Sequence, residues 1–234
     1  METPWLYDER KQVGTNYADE SNVKGYDAGM QRLRSIPQEV EGVAQALSLS
    51  RIAAIWEIGC GTGEMALGLA ARCRQVYASD VSPAMISLAR KKAGELGIEN
   101  VALEEGGFLF GFAPPEPVDA VVSQLTLHHL PDFWKLMALR RVASYLKPNG
   151  KLFLRDVIYP SGVPDYDAYF AGLIGAIRKQ GGDELASQTI AHIKDEHSTF
   201  AWVIEEMLKQ AGFVITDRHA DRFTTSYTCV KQGR

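Results

Sequence analysis

Three glycines in five positions, Gly59-Cys60-Gly61-Thr62-Gly63, follow the short apolar run Ala53–Ile58 and precede an amphipathic stretch opening at Glu64. Alternate glycines permit a sharp strand-to-helix turn, and they let a ligand approach backbone N–H groups with no Cβ in the way. An ordinary tight turn needs fewer, so the run predicts a ligand loop at the head of a parallel α/β unit. From about Ile52 to Asp156 short apolar runs alternate with longer amphipathic ones, as parallel strands joined by crossover helices require. The predicted strands are Ala53–Ile58, Gln75–Asp80, Val101–Glu104, Val118–Ser123 and Lys151–Asp156. Between them fit helices Glu64–Arg72, Pro83–Leu96 (Ser82 as N-cap, Gly97 as stop) and Asp132–Leu146, ended by Lys147-Pro148-Asn149-Gly150. Gly106–Pro117, rich in proline and bulky apolar residues, reads as a loop with a short turn.

The flanks extend this core. Gln38–Leu49 is amphipathic, and residues 1–37 carry Trp5, Tyr7, Tyr17 and Tyr26, too aromatic for a plain disordered tail. After the core come helical patterns near Asp165–Lys179 and Asp183–Lys194, parted by Gly181-Gly182, then a helix Thr199–Ala211 and two β-rich runs, Phe213–His219 and Phe223–Lys231. One elaborated domain over 1–234 is expected, with 1–37 as a lid-like segment and 157–198 as an inserted helical lid or acceptor segment.

Composition removes several partners. Of 234 residues 46% are hydrophobic, enough for a sizeable core, and 25 Lys plus Arg against 29 Asp plus Glu give a net charge of -4, with no basic face for nucleic acid. No apolar run is long enough to span a membrane, and Met1-Glu2-Thr3-Pro4 opens no secretory signal. Three cysteines, Cys60, Cys73 and Cys229, form no CxxC and no even-numbered framework. A cytoplasmic protein, monomer or homodimer, with no nucleic-acid or membrane partner is the expectation.

Two ligands compete for the glycine loop. Gly61-Thr62-Gly63-Glu64-Met65-Ala66 satisfies a dinucleotide fingerprint, with Asp80 where a ribose-binding acid belongs. The longer run Glu57-Ile58-Gly59-Cys60-Gly61-Thr62-Gly63 instead resembles motif I of the class I S-adenosylmethionine (SAM) dependent methyltransferases. That resemblance extends to Ser79-Asp80-Val81-Ser82-Pro83-Ala84-Met85, to Val118–Ser123 through Leu127-His128-His129-Leu130, and to Leu146-Lys147-Pro148-Asn149-Gly150-Lys151-Leu152. It implies a Rossmann-like seven-stranded α/β sheet of order 3-2-1-4-5-7-6, strand 7 antiparallel, with helices on both faces. The C-terminal half is most similar to the YrrT-like bacterial small-molecule methyltransferases, on Asp156-Val157-Ile158-Tyr159, Asp165–Tyr169 and Glu205–Phe213.

The resemblance implies a cofactor site. Gly59, Cys60, Gly61 and Gly63 would underlie the amino-acid part and ribose of SAM, Asp80 would accept from both ribose hydroxyls, and Val81 would line adenine. Backbone at Gln124 and Leu125 would face the ammonium and sulfonium. Glu57 would support either the loop or the ammonium. One position departs: Gly107, before Phe108, replaces the acid that accepts from the adenine amino group. Adenine recognition then falls to backbone, to Phe108 or to Glu105.

SAM carries an activated methyl group, so such an enzyme chiefly holds a nucleophile in line and deprotonates it when needed. His128 and His129, after strand four, are the base candidates, of which adjacent side chains would let one face the acceptor; packing is the competing role for each. Asp156 and Tyr159 follow at the same rim. No Asn/Asp-Pro-Pro-Tyr stands at Ser123-Gln124-Leu125-Thr126, which disfavours amino-group methylation of adenine or glutamine, and no cysteine is placed as a C5 nucleophile. His192, Asp195, Glu196 and His197 read as a polar helix end, with no metal expected. A small-molecule acceptor is expected, the aromatic residues Tyr17, Tyr26, Tyr159, Tyr166, Tyr169 and Phe170 closing over it or packing the flanks. A SAM-binding sensor or regulatory protein that transfers no methyl group is the alternative, to which Gly107 lends weight.

Overall fold

The computed structural model describes residues 4–11, 27, 34–221 and 223–233. Helix α1 (Ile36–Leu47) leads into β1 (Ala54–Ile58), α2 (Glu64–Ala70), β2 (Gln75–Asp80), α3 (Pro83–Leu96) and β3 (Val101–Glu105). Then follow β4 (Val118–Gln124), a single 3-10 turn (Leu127–His129), α4 (Asp132–Tyr145), β5 (Leu146–Tyr159) and α5 (Tyr166–Asp195). The chain closes with β6 (Thr199–Phe200), α6 (Ala201–Gln210), β7 (Phe213–Ala220) and β8 (Thr224–Lys231).

The main sheet runs β3-β2-β1-β4-β5-β8-β7, with the first five strands parallel and β8 antiparallel to both β5 and β7. This is the expected order once the two-residue β6, which pairs with Ile158–Tyr159 at the tip of β5, is left out of the count. Strand β1 is buried at all five positions, as a central parallel strand covered on both faces must be. Alternation sends Ile55 with Val76, Ala78 and Val122 to the face covered by α1, α2 and α3. Trp56 and Ile58 join Val121, Leu139, Val142, Ile204, Leu208 and Tyr227 on the face covered by α4 and α6. The indole N–H of Trp56 donates to Ser79 Oγ at 3.1 Å, so the largest buried ring leaves no polar group unpaired.

Local chemistry explains the boundaries. Ser82 Oγ accepts from Met85 N at 3.3 Å and caps α3 ahead of Pro83, and Gly97 ends it in the left-handed region at φ 63. Two predicted elements shift. Strand β5 begins at Leu146, five residues before the predicted Lys151, and Asn149 at φ 60 absorbs the excess chain where the β4–β5 register slips. Helix α6 begins at Ala201 because Thr199 and Phe200 are held extended against β5. Gly106–Pro117 forms no helix, and a Gly106–Gly111 bridge closes its loop. Within α5, Gly182 at φ 84, ψ -177 breaks the helical path between two helical halves. No helix among the described residues is long and apolar enough to cross a membrane.

Candidate functional site

A cavity of about 290 Å³ opens at the C-terminal ends of β1, β2 and β4. Its floor is the glycine loop. Gly59 has φ +75, and a Cβ there would overlap the Thr126 side chain at 2.1 Å. A Cβ on Gly61, at φ +52, would meet nothing within 4 Å, so open space faces that backbone as a ligand loop requires. Gly63 does not line the cavity. Its role is packing: it begins α2 at φ +82, where a Cβ would stand 2.9 Å from the Ala89 methyl.

Asp80 ends β2 and accepts from Gly61 N through Oδ2 at 2.8 Å and from Ser82 N through Oδ1 at 2.9 Å. Burial raises its pKa, and those two N–H groups oppose the rise. It therefore shapes the loop with the same two oxygens that were expected to meet a ribose. Glu57 is 3% exposed, and its Oε2 has no hydrogen-bond partner. Burial, offset in part by Arg34 and reinforced by Asp80, pushes its carboxyl up to about 8. Val81, Cys60, Gln124 and Leu125 line the cavity as expected, and Gln124 Nε2 is buried without a partner. Burial holds the Cys60 thiol well above its ordinary pKa, so it is inert packing. Leu125 sits at φ 54, an uncommon conformation for a branched residue, held by donation of its N–H to Arg155 O at 2.8 Å.

A carboxyl from the N-terminal segment, that of Glu9, occupies the space beside Gly107. Glu9, 8% exposed, accepts from the N–H groups of Phe108 (2.9 Å), Leu109 (2.5 Å) and Phe110 (3.1 Å). A Cβ at position 107 would lie 2.5–2.6 Å from the Glu9 carboxyl atoms, so glycine is what admits Glu9. Burial raises the Glu9 pKa against these three bonds and the nearby Arg141. Arg141 fixes the same loop from below, donating to the carbonyls of Gly107 (3.0 Å) and Phe108 (2.8 Å). Glu105, the side chain expected to move in, is exposed and outside the cavity lining; Phe108 lines it. Sequence reasoning missed Glu9, whose one signal was the unexplained glycine.

The opposite wall is a cluster of imidazoles and carboxylates. Asp156, 2% exposed, contacts His128 Nδ1 through Oδ1 at 2.5 Å and accepts from His128 N through Oδ2 at 3.1 Å. His128 Nε2 then faces Glu196 Oε2 at 2.9 Å, His192 Nδ1 approaches the same oxygen at 2.7 Å, and His129 Nδ1 stands 3.8 Å from it. Neither short contact is aligned as a hydrogen bond, and His129 Nδ1 is sealed from solvent without a partner. Burial alone would lower the His128 pKa, but Asp156 and Glu196 outweigh it and raise it to about 9. Burial and the charge on His128 push His129 down to about 4. Glu196 is lowered despite its burial by the facing His128 and His192.

Backbone pins this wall in place. His197 N donates to His128 O at 2.9 Å, and Lys135, 1% exposed, donates to His197 O and to Asp132 Oδ1 at 2.8 Å. The polar helix end expected at residues 192–197 is thus divided: Asp195 is exposed, whereas His192 and Glu196 turn into the cavity. Both His128 and His129 line it. Asp156 stands behind His128, outside the lining, and Tyr159 packs edge-on against Phe170 with ring centroids 5.3 Å apart. Tyr166 and Tyr169 join that aromatic stack, and none of these rings covers the cavity. Tyr17 and Tyr26 lie outside the described residues. Gln188 and Thr189 complete the wall from the second half of α5.

Comparison with known proteins accords with this geometry. Residues 55–150 match the protein family described as a methyltransferase domain. An uncharacterized methyltransferase of Bacillus velezensis is 30% identical over 170 residues, 73% of this chain and 71% of that one. Another, of Geobacillus sp. (strain WCH70), is 28% identical over 213 residues, 91% of this chain and 92% of that one. The solved structure of a S-adenosylmethionine-dependent methyltransferase from Clostridium acetobutylicum has the same fold, with TM-score 0.67 and 12% identity, covering 91% of this chain and 98% of that one.

Proposed function

The chain belongs to the class I SAM-dependent methyltransferase family, and on that premise we propose that it transfers the methyl group of SAM to a small-molecule acceptor seated against the His128–His129–Glu196 wall. The observation that carries this reading is that the cofactor loops and the histidine wall line one cavity. When bound, SAM supplies a methyl group on a positive sulfur. The residues fit it: an open backbone at Gly61, a carboxylate at Asp80, and two buried polar atoms without partners, Glu57 Oε2 and Gln124 Nε2, beside the loop. Glu9 is the acid to meet the adenine amino group, because it fills the space a residue-107 side chain would take.

Displacement at carbon needs the acceptor atom, the methyl carbon and the sulfur in line. The wall supplies polar atoms that can orient an acceptor: His129 Nδ1 and Glu196 Oε2 are buried and unsatisfied. On this reading His128 orients the wall rather than serving as the acceptor's base, because its Nε2 faces Glu196 at 2.9 Å. Asp156 acts through His128 by fixing that ring. The resemblance to the YrrT-like subgroup and the mild net charge both favour a small acceptor over a polymer. Incubation with methyl-labelled SAM and pooled metabolites should label a low-molecular-weight product. Binding of S-adenosylhomocysteine without labelling of any metabolite, protein or nucleic acid would favour a sensor and overturn the proposal.

A further inference from the structure

We propose that His128 Nε2, His129 Nδ1 and Glu196 Oε2 are the ligands of a divalent transition-metal ion at the acceptor end of the cavity. The three side chains each offer one ligand atom, and these lie within 4.8 Å of one another. Ligand atoms held about 2.0–2.2 Å from one cation stand roughly 3–3.5 Å apart, and the separations here of 2.9 Å and 3.8 Å from Glu196 Oε2 bracket that range. Glu196 Oε2 has ring nitrogens of His128 and His192 at 2.9 Å and 2.7 Å, and His129 Nδ1 beside it is buried with no hydrogen-bond partner, so a polar atom aimed into the cluster is left for a ligand.

The surroundings complete the site. Asp156 holds His128 Nδ1 at 2.5 Å, which turns the Nε2 lone pair toward the cavity, the outer-shell carboxylate that metal-bound histidines commonly use. His192 Nδ1 lies at ion-pair distance, 2.7 Å, from the Glu196 carboxylate, and its Nε2 is matched by Ser198 Oγ at 2.8 Å. His128 and Glu196 are each 7% exposed, so the ligands are fixed before any ion arrives. Two imidazoles and one carboxylate leave coordination positions open, the arrangement of a catalytic rather than a structural site. These positions face the space shared with the glycine loop.

The role of the ion rests on the methyl-transfer reading, whereas its binding does not. An acceptor thiol or hydroxyl that coordinates the cation loses its proton to solvent more readily. The ionised heteroatom then donates a lone pair to the methyl carbon, the carbon–sulfur bond breaks, and its electron pair stays on sulfur. The products are a methylated acceptor and S-adenosylhomocysteine.

Untagged full-length protein, treated with a chelator and then titrated with zinc or cobalt(II) chloride, tests the site. One ion per chain and visible cobalt absorption from nitrogen–oxygen coordination are expected. Glu196→Gln and His129→Asn should each abolish the cobalt band, and Asp156→Asn should weaken zinc affinity by about 10–100-fold. The thermal shift with S-adenosylhomocysteine, retained in each variant, certifies that it is folded. If wild-type protein gives no cobalt band, or binds zinc no more tightly than the Glu196→Gln/His129→Asn double variant, the metal site is wrong; the wild-type measurement decides even where a variant fails to fold. A shift with S-adenosylhomocysteine and no zinc binding sinks the metal alone. Zinc binding with neither that shift nor any labelled product sinks methyl transfer and leaves the metal.

Discussion

Glu9 and Gly107 act as one unit, since the carboxyl of one occupies the Cβ space of the other. Gly107→Ala should expel Glu9 and strand three N–H donors, of which that of Phe108 is buried, at a cost of about 1–3 kcal/mol for a buried one left unsatisfied. Glu9→Ala should lower stability to urea and weaken S-adenosylhomocysteine binding together, while Glu9→Ala with Gly107→Asp should recover affinity in calorimetry. Recovery absent from the double variant would separate Glu9 from adenine recognition. Glu57 gives a pH signature. Its folded pKa of about 8 lies above the 4.5 of an ordinary glutamate, so the stability linked to it is complete below pH 4.5 and is lost as pH rises toward 8. A tenfold change in a protonation equilibrium is worth about 1.4 kcal/mol, so thermal melts of the ligand-free protein should show a decline of a few kcal/mol that Glu57→Gln abolishes. Parallel melting curves for the two proteins from about pH 5 to 9 would assign the proton elsewhere.

At the level of elements, α5 does two jobs on either side of Gly182. Its first half carries Tyr166, Tyr169 and Phe170 into an aromatic stack, and its second half delivers Gln188, Thr189 and His192, with Glu196 just beyond its end, to the cavity. Gly182, at φ 84 and ψ -177, occupies a region essentially closed to other residues, where a side chain costs about 1–3 kcal/mol. Gly182→Ala should therefore loosen residues 183–196 selectively, raising their hydrogen exchange while β1 and β4 stay protected. Uniform protection in the variant would mean the kink has no bearing on the wall. Lys135 holds the other end of that wall. Lys135→Met keeps the apolar stem and leaves His197 O without its donor, a loss of about 1–3 kcal/mol that chemical denaturation should register. The glycine pair at 181–182 announced the division of α5 in the sequence, because a helix interior disfavours glycine. Which half faced the cavity was illegible, since the helix has no single apolar stripe, with only Ala186 and Thr189 buried, and its orientation depends on contacts such as Phe170 with Tyr159 and His192 with His128.

Across the molecule, the parallel strands were readable because each is a short apolar run between turn residues, whereas their order and the antiparallel closing strand followed from the family resemblance of the motifs. The glycine loop, Asp80, Val81 and the histidine pair were readable for the same local reason, each motif being contiguous. Glu9 with Phe108, and His128 with Glu196, are separated by 99 and 68 residues and meet only through the fold, so no local pattern marks them. One consequence is a binding response of the whole domain. At about 100 times its dissociation constant, S-adenosylhomocysteine should add about 2.7 kcal/mol to stability, a rise in melting temperature of roughly 5–10 °C for a chain of this size. NAD should give none; a shift with NAD and none with S-adenosylhomocysteine would reverse the cofactor assignment. The Glu9 contact also bears on how the gene is read. A start codon assigned a dozen codons downstream would still encode every strand of the sheet. It would express as an ordinary Rossmann-like protein and bind its nucleoside poorly, and the defect would be blamed on the protein rather than on the missing first turn of its chain.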